Sequence, residues 1–232
     1  MIKVRKSAER GSADHGWLKS RHSFSFADYY DPEHMGFRSL RVINEDWIAP
    51  SQGFPSHPHR SMEIITYVMK GALEHKDSLG TSSIIRPGEV QRMSAGSLVV
   101  HSEFNPLDDQ ETHLLQIWIL PLHRGGSPRY EQKNFLAMPV AAPLRLAVSG
   151  DGRDGSLVID QDADLYIGRL QAGQFVDYAI RPGRGIWLQL VSGELDVNGL
   201  KLAAGDGLCV EEEQHLKFQS LSTVEFLLFD LA

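Results

Sequence analysis

Two short pairs carry the residues whose types and spacing could do chemistry. His57 and His59 stand one residue apart in Gly53-Phe-Pro-Ser-His57-Pro-His59-Arg-Ser-Met-Glu63, and His101 and Glu103 stand one apart in His101-Ser-Glu103-Phe-Asn105. Side chains alternate along a strand with a period of two, so each pair presents both members to one face. Neighbouring antiparallel strands bearing the two pairs would bring three imidazoles and one carboxylate to a single point. That donor set suits a divalent first-row metal with positions left open for substrate or dioxygen. A lone His-x-His would more simply be a pair of exposed or core histidines. Its coupling to His-x-Glu is what indicates a metal.

The elements that must position these residues read as strands and turns. Leu40–Asn44, Glu63–Met69, Leu73–Asp77, Ser83–Arg86, Val90–Met93, Leu98–Glu103 and Leu114–Leu120 are β-branched, aromatic or apolar runs bounded by Gly and Pro. Residues 50–58 are rich in Gly, Pro and Ser and read as loop until the histidines begin a strand. Residues 1–40 show no 3.6-residue periodicity and read as strands and loops. Short strands with turn signals every eight to twelve residues indicate a sandwich or barrel. Residues 123–143 loosen into Gly-Gly-Ser-Pro and Met-Pro-Val-Ala-Ala-Pro, a connection between two lobes with room for one short helix.

The second lobe repeats the first. Trp187 to Leu195, with Gly193, matches Ile65 to Leu73, with Gly71, at an offset of 122 residues. Asn198-Gly199 is a two-residue hairpin signal. At the same offset His57 and His59 become Ala179 and Arg181, so the second lobe should keep the scaffold and lack the ligands; His215 is its only histidine.

Composition bounds the partners. The 232 residues are 42% hydrophobic and 23% charged, with a net charge of −7 and scattered Lys and Arg. No basic surface for nucleic acid is expected. No apolar run reaches the roughly 18 residues of a membrane span, and no apolar h-region follows the basic N-terminus. The single cysteine, Cys209, sits in an apolar run, excludes an internal disulfide and fits a reducing compartment. A cytoplasmic protein is expected.

With those residues in view, the sequence resembles the cupin superfamily and, within it, the pirin family. The first cupin motif corresponds to Gly53, His57, His59, Glu63 and Gly71; the second runs from Gly88 through Gly96 to His101 and Asn105, with Ser94 in place of the motif proline and two extra residues before His101. Pirin-like features are His57-Pro-His59, Met62-Glu63, Glu74-His-Lys-Asp-Ser78, Met93-Ser-Ala-Gly96, His101-Ser-Glu103-Phe-Asn105 and Leu115-Gln-Ile-Trp118. The resemblance implies an all-β bicupin of two packed antiparallel barrels. On that reading residues 1–122 form an N-terminal barrel with one metal, 123–143 the connection, and 144–232 a C-terminal barrel without ligands. It implies His57, His59, His101 and Glu103 as metal ligands. Other cupins use the first-motif glutamate, here Glu63. The spacing from His101 favours Glu103, with Glu63 left as a group behind a ligand imidazole. Fe(II) is favoured, with Zn, Ni, Cu, Co or Mn also compatible with the donors.

Several pirin-like proteins act as quercetin 2,3-dioxygenases, which open the central ring of a flavonol with dioxygen and release carbon monoxide. The resemblance therefore implies a small aromatic, flavonol-like substrate and O2, with Glu103 or Glu63 accepting the substrate's hydroxyl proton. An alternative from a different class is a metal-bearing redox sensor acting through a protein partner. His15, His22, His34, His75, His113 and His123 read as structural or surface groups, although His113 could reach the pocket. Phe24, Phe26 and Trp118 read as core.

Overall fold

The computed structural model describes residues 1–137 and 142–232. The only helical pieces among the described residues are two three-residue 3-10 turns, Ser7–Glu9 and Arg153–Gly155. No helix is long and apolar enough to cross a membrane. The chain divides into two compact units, each made of a seven-stranded and a four-stranded sheet. The strands are antiparallel apart from one short parallel pair, Leu144–Ser149 with Leu157–Val158.

In the first unit the large sheet runs, in spatial order, Arg129–Asn134, Glu89–Ser94, Glu63–Lys70, Thr112–Ile119, Leu40–Ile48, Leu18–His22 and Gly11–Asp14. Its small sheet is Gly53–His59, Val99–Phe104, Leu73–Asp77 and Ser82–Ile85. The apolar run at Thr112–Ile119 is central, paired with Glu63–Lys70 on one side and Leu40–Ile48 on the other. That placement suits its continuous hydrophobicity. Gly71 follows Glu63–Lys70 at φ +80°, and a Cβ there would meet the Thr112 hydroxyl at 2.8 Å, so only glycine turns the chain at this point.

The second unit has the same order. Gly185–Ser192 takes the place of Glu63–Lys70 at the offset of 122 residues, and the small sheet is Phe175–Ala179, His215–Ser220, Glu194–Val197 and Leu200–Ala203. Asn198 and Gly199, both at positive φ, form the predicted hairpin turn between the last two. Where Val99–Phe104 buries His101 and Glu103, the equivalent strand His215–Ser220 buries Leu216 and Phe218. His215 itself is exposed and pairs with Asp177. The all-β bicupin is therefore the observed fold, with buried histidine and glutamate in one small sheet and apolar residues in the other.

Boundaries differ from the expected division. Ile2–Arg5 pairs with Gly207–Val210, so Met1–Arg10 belongs to the C-terminal unit although it begins the chain. Within 123–143, Arg129–Asn134 is a strand that pairs with Glu89–Ser94, because it completes the edge of the first unit's large sheet. Residues 138–141 of the expected connection lie outside the described residues. Ile159–Gln161 also groups with the first unit, through backbone bonds such as Leu122 N–H to the Asp160 carbonyl.

Candidate metal centre

Val99–Phe104 lies between Gly53–His59 and Leu73–Asp77, and its alternation buries Val99, His101 and Glu103 while leaving the intervening residues half-buried. His101 stands opposite His57, and Val99 opposite His59. A register shift follows between His101 and Glu103, and Gly53 pairs with Phe104 at the strand's end. A Cβ on Gly53 would come within 2.2 Å of the Glu103 carbonyl oxygen. The motif glycine is what lets the two strands close at the site.

His57, His59 and His101 bring nitrogens within 4.8 Å of one another. Nε2 of His57 and Nε2 of His101 are 3.0 Å apart. Nδ1 of His57 donates to the Pro55 carbonyl at 2.8 Å, which leaves its Nε2 as a lone pair facing His101. Burial first, then the neighbouring imidazoles, push His59 down to about 4 and His101 down to about 3. Both are neutral at physiological pH, so the cluster presents lone pairs rather than charge.

Glu103 groups with His101 and His75, all three buried. Its two carboxylate oxygens accept from Nε2 of Gln116 at 2.9 and 3.2 Å. The Gln116 Oε1 in turn accepts from the Thr66 hydroxyl at 3.0 Å. Thr66, Gln116 and Asn44 occupy facing positions on three adjacent strands, so the large sheet supplies the support for the carboxylate.

Glu63 lies elsewhere. The strand bearing His57 and His59 ends at His59, Ser61 turns the backbone at φ 47°, and Glu63 starts a strand in the other sheet. The strand parity of the two histidines therefore does not extend to Glu63. Its carboxylate accepts from the Ser94 hydroxyl at 2.7 Å and from Asp160 N–H at 3.3 Å, and burial raises its pKa.

A cavity of about 580 Å³ opens beside the cluster, with His57, His59, Glu103 and Gln116 on its wall. Its size is that of a pocket for a small organic ligand. Phe26 and Trp118 line it instead of serving only as core; Trp118 meets His59 edge-on at 5.0 Å between ring centres and Phe26 at 5.4 Å. Phe24 is core, at 2% exposure.

Facing this aromatic wall is a row of polar side chains that sequence reading missed: Ser20, His22, Asn44 and Asp46. The signal was present as polar residues at period two, Ser20 with His22 and Asn44 with Asp46, in strands whose neighbours are buried. Leu40–Asn44 was expected to end before Asp46, which hid the second pair. His22 Nδ1 and Asn44 Oδ1 are 2.8 Å apart, and the Ser20 hydroxyl donates to Asp46. Burial, opposed by that hydrogen bond and reinforced by Glu103 and Glu45, raises Asp46 to about 7. His113 pairs with Glu45 and stacks on Trp47 and is not on the cavity wall, whereas His15 is.

The donors fit a divalent metal. Imidazole nitrogens held about 2.1 Å from one cation and at right angles to each other stand roughly 3 Å apart, which is the His57–His101 separation. With the lone pair of His101 also on Nε2, a cation would sit between the two nitrogens. Nitrogen-rich donors with one carboxylate are those of late first-row divalent ions.

Comparison with known proteins gives the family. The Pirin family model matches residues 2–119, and a model described as the quercetinase C-terminal cupin domain matches residues 146–231. A quercetin 2,3-dioxygenase of Escherichia coli strain K12 is 48% identical over 231 residues, covering 100% of this chain and 99% of that protein. A pirin-like protein of Caulobacter vibrioides is 42% identical, with both chains covered in full. The crystal structure of the bacterial pirin YhhW from Escherichia coli in complex with nickel(II) superposes with a TM-score of 0.95, at 48% identity, over 100% of this chain and 99% of that one. Matching family models, full-length relatives and a shared two-unit fold together place the chain in the pirin family.

Proposed function

We propose that this chain is a metal-dependent dioxygenase that opens the central ring of quercetin or a related flavonol with dioxygen. The observation that carries the reading is the cavity of about 580 Å³, which has His57, His59 and Glu103 on one wall and aromatic rings beside them. Its volume and aromatic lining suit a fused aromatic, and the named activity of the 48%-identical relative supports that substrate class.

His57, His59, His101 and Glu103 are the proposed ligands, and Fe(II) the proposed native ion. Bound there, the metal would act as a Lewis acid on a flavonol hydroxyl and lower its pKa. Glu103 is the proposed acceptor of that proton, since it is the carboxylate among the ligands and its wall faces the substrate. Gln116 holds it in place with a donor to each oxygen. Glu63, engaged by Ser94 and Asp160, is the weaker candidate. Trp118 and Phe26 would orient the rings and exclude water from the reacting edge.

Metal content is measured first, on protein purified without a metal-affinity tag, followed by anaerobic quercetin and then air. One equivalent of metal with oxygen-dependent loss of flavonol absorbance is expected. Glu103→Gln should lose turnover far more than it loses metal. Full activity in that variant, or a metal-loaded protein that never bleaches flavonol, would overturn the reading, the second result pointing to a sensor.

A further inference from the structure

Behind the cluster lies a buried histidine that the proposed function leaves without a role. Pairing of Leu73–Asp77 with Val99–Phe104 sets Asp77 opposite His101 and His75 opposite Glu103. The side chains of His75 and Asp77 are both fully buried. Nε2 of His75 lies 3.0 Å from Oδ2 of Asp77, and Nδ1 of His75 lies 3.4 Å from Nδ1 of His101. The ring of Tyr130 covers His75, 4.8 Å away between ring centres.

The proton positions follow by elimination. Oδ1 of Asp77 accepts backbone N–H groups from Leu79 at 2.9 Å and Thr81 at 3.0 Å, so the carboxylate is held as an acceptor. An ionised carboxylate has no proton to give, so the proton between it and His75 belongs to His75 Nε2. With that single proton on the ring, His75 has a bare Nδ1, which can only accept. With a cation taking the lone pairs of His57 and His101 Nε2, the nitrogen facing His75, Nδ1 of His101, carries the proton and donates, since the other assignment sets two lone pairs against each other at 3.4 Å. His101 is left with its lone pair on Nε2, the atom that faces Nε2 of His57.

We infer that Asp77 and His75 form a relay that fixes the tautomer of His101 and presents Nε2 unprotonated to the metal. His75 and Asp77 are positioning residues here, acting through His101. A hydrogen-bonded partner on the far nitrogen of a ligating imidazole orients the ring and raises its basicity, and losing such a partner costs roughly 10–100-fold in metal affinity. The inference rests on His101 being a ligand, but on neither the flavonol nor the dioxygen reaction. An inner site built from His75, His101 and Glu103 is the competing arrangement of the same groups.

The test uses the full chain labelled with 15N-histidine and loaded with zinc, and long-range 1H–15N correlation. His101 is expected to carry its proton on Nδ1 and the zinc on Nε2, with His75 as Nε2–H; His101 found coordinated through Nδ1 overturns the inference without any variant. Asp77→Asn keeps the acceptor for Leu79 and Thr81 and can donate to His75. It should send the His75 proton to Nδ1, against the Nδ1–H of His101, and weaken nickel(II) binding roughly 10–100-fold. His75→Phe removes the acceptor without forcing the wrong tautomer, so its loss should be the smaller. Wild-type tautomers and nickel affinity in Asp77→Asn would overturn the relay. So would a zinc-loaded wild-type spectrum in which the His75 Nδ1 resonance shifts as a coordinated nitrogen. All of these readings are taken without flavonol, so an enzyme inactive on quercetin leaves them standing.

Discussion

Gln116 stands on the large sheet and donates to both oxygens of Glu103 on the small one, at 2.9 and 3.2 Å. The amide can point only one way, because its Oε1 is taken by the Thr66 hydroxyl. Replacing Gln116 by Leu leaves a buried carboxylate without its donors. Metal affinity should fall roughly 10–100-fold, the scale for losing a ligand's supporting partner. Thr66→Val should do the same more weakly, by freeing the amide to rotate. Nickel titration followed calorimetrically checks both, and unchanged affinity in Gln116→Leu would remove Gln116 from the account.

Gly53 tests the closure of the two histidine-bearing strands. A Cβ there would lie 2.2 Å from the Glu103 carbonyl oxygen and 2.5 Å from the Phe104 Cα, both backbone. Gly53→Ala should therefore cost roughly 1–3 kcal/mol, as forced overpacking does, and should weaken metal uptake in parallel. Urea unfolding and metal titration on the same preparation read the two effects.

Asp46 makes the stability of the metal-free protein depend on pH. Its pKa is raised from 3.8 to about 7 by burial, so between those values the unfolded chain releases a proton that the folded one keeps. Stability is fullest below about 4, falls as pH rises towards about 7, and is then level. Asp46→Asn lacks this term and should converge with the wild type near pH 4. At pH 8 it should be the more stable of the two, by on the order of 2–4 kcal/mol. Denaturant unfolding at pH 4.5, 6 and 8 would show the difference, and parallel curves would count against a neutral Asp46.

Trp118 offers a check on the cavity that leaves the ligands intact. Its ring touches the edge of His59 but donates no ligand atom. Removing a stacked aromatic costs about 1–3 kcal/mol of ligand contact. Trp118→Ala should therefore raise KM for quercetin by about ten- to a hundredfold with metal stoichiometry unchanged, and Trp118→Phe should recover most of it. An unaltered KM in Trp118→Ala would place the flavonol elsewhere.

The clustering of His57, His59 and His101 was legible because strand parity is a local property, whereas Glu103 groups with His101 and His75, a neighbour that the period-two pairs do not reveal. The repeat was legible for the same reason: Gly71 and Gly193 mark equivalent turns, and the strand bounds coincide at the offset read from the sequence. Glu63 starts a strand of the other sheet because parity holds only within one strand, and the turn at Ser61 ends it. The polar row of Ser20, His22, Asn44 and Asp46 escaped because its meaning depends on pairing between strands far apart in the chain. His75 escaped because one buried histidine in a strand looks like core until its strand is known to pair with the one bearing His101 and Glu103.

The strand Ile2–Arg5 pairs with Gly207–Val210 and not with anything in the unit that follows it. On the ribosome this segment emerges before the whole of the first unit, and its partner only after it. At typical rates of about 5–20 residues per second it waits roughly 10–40 s for the strand it must join. The first unit's strands have by then been delivered through Asn134 and can begin to pair. Lys3 and Arg5 would discourage edge-to-edge association in the interval. A strand made ahead of an entire unit finds its place only after that unit's chain is complete.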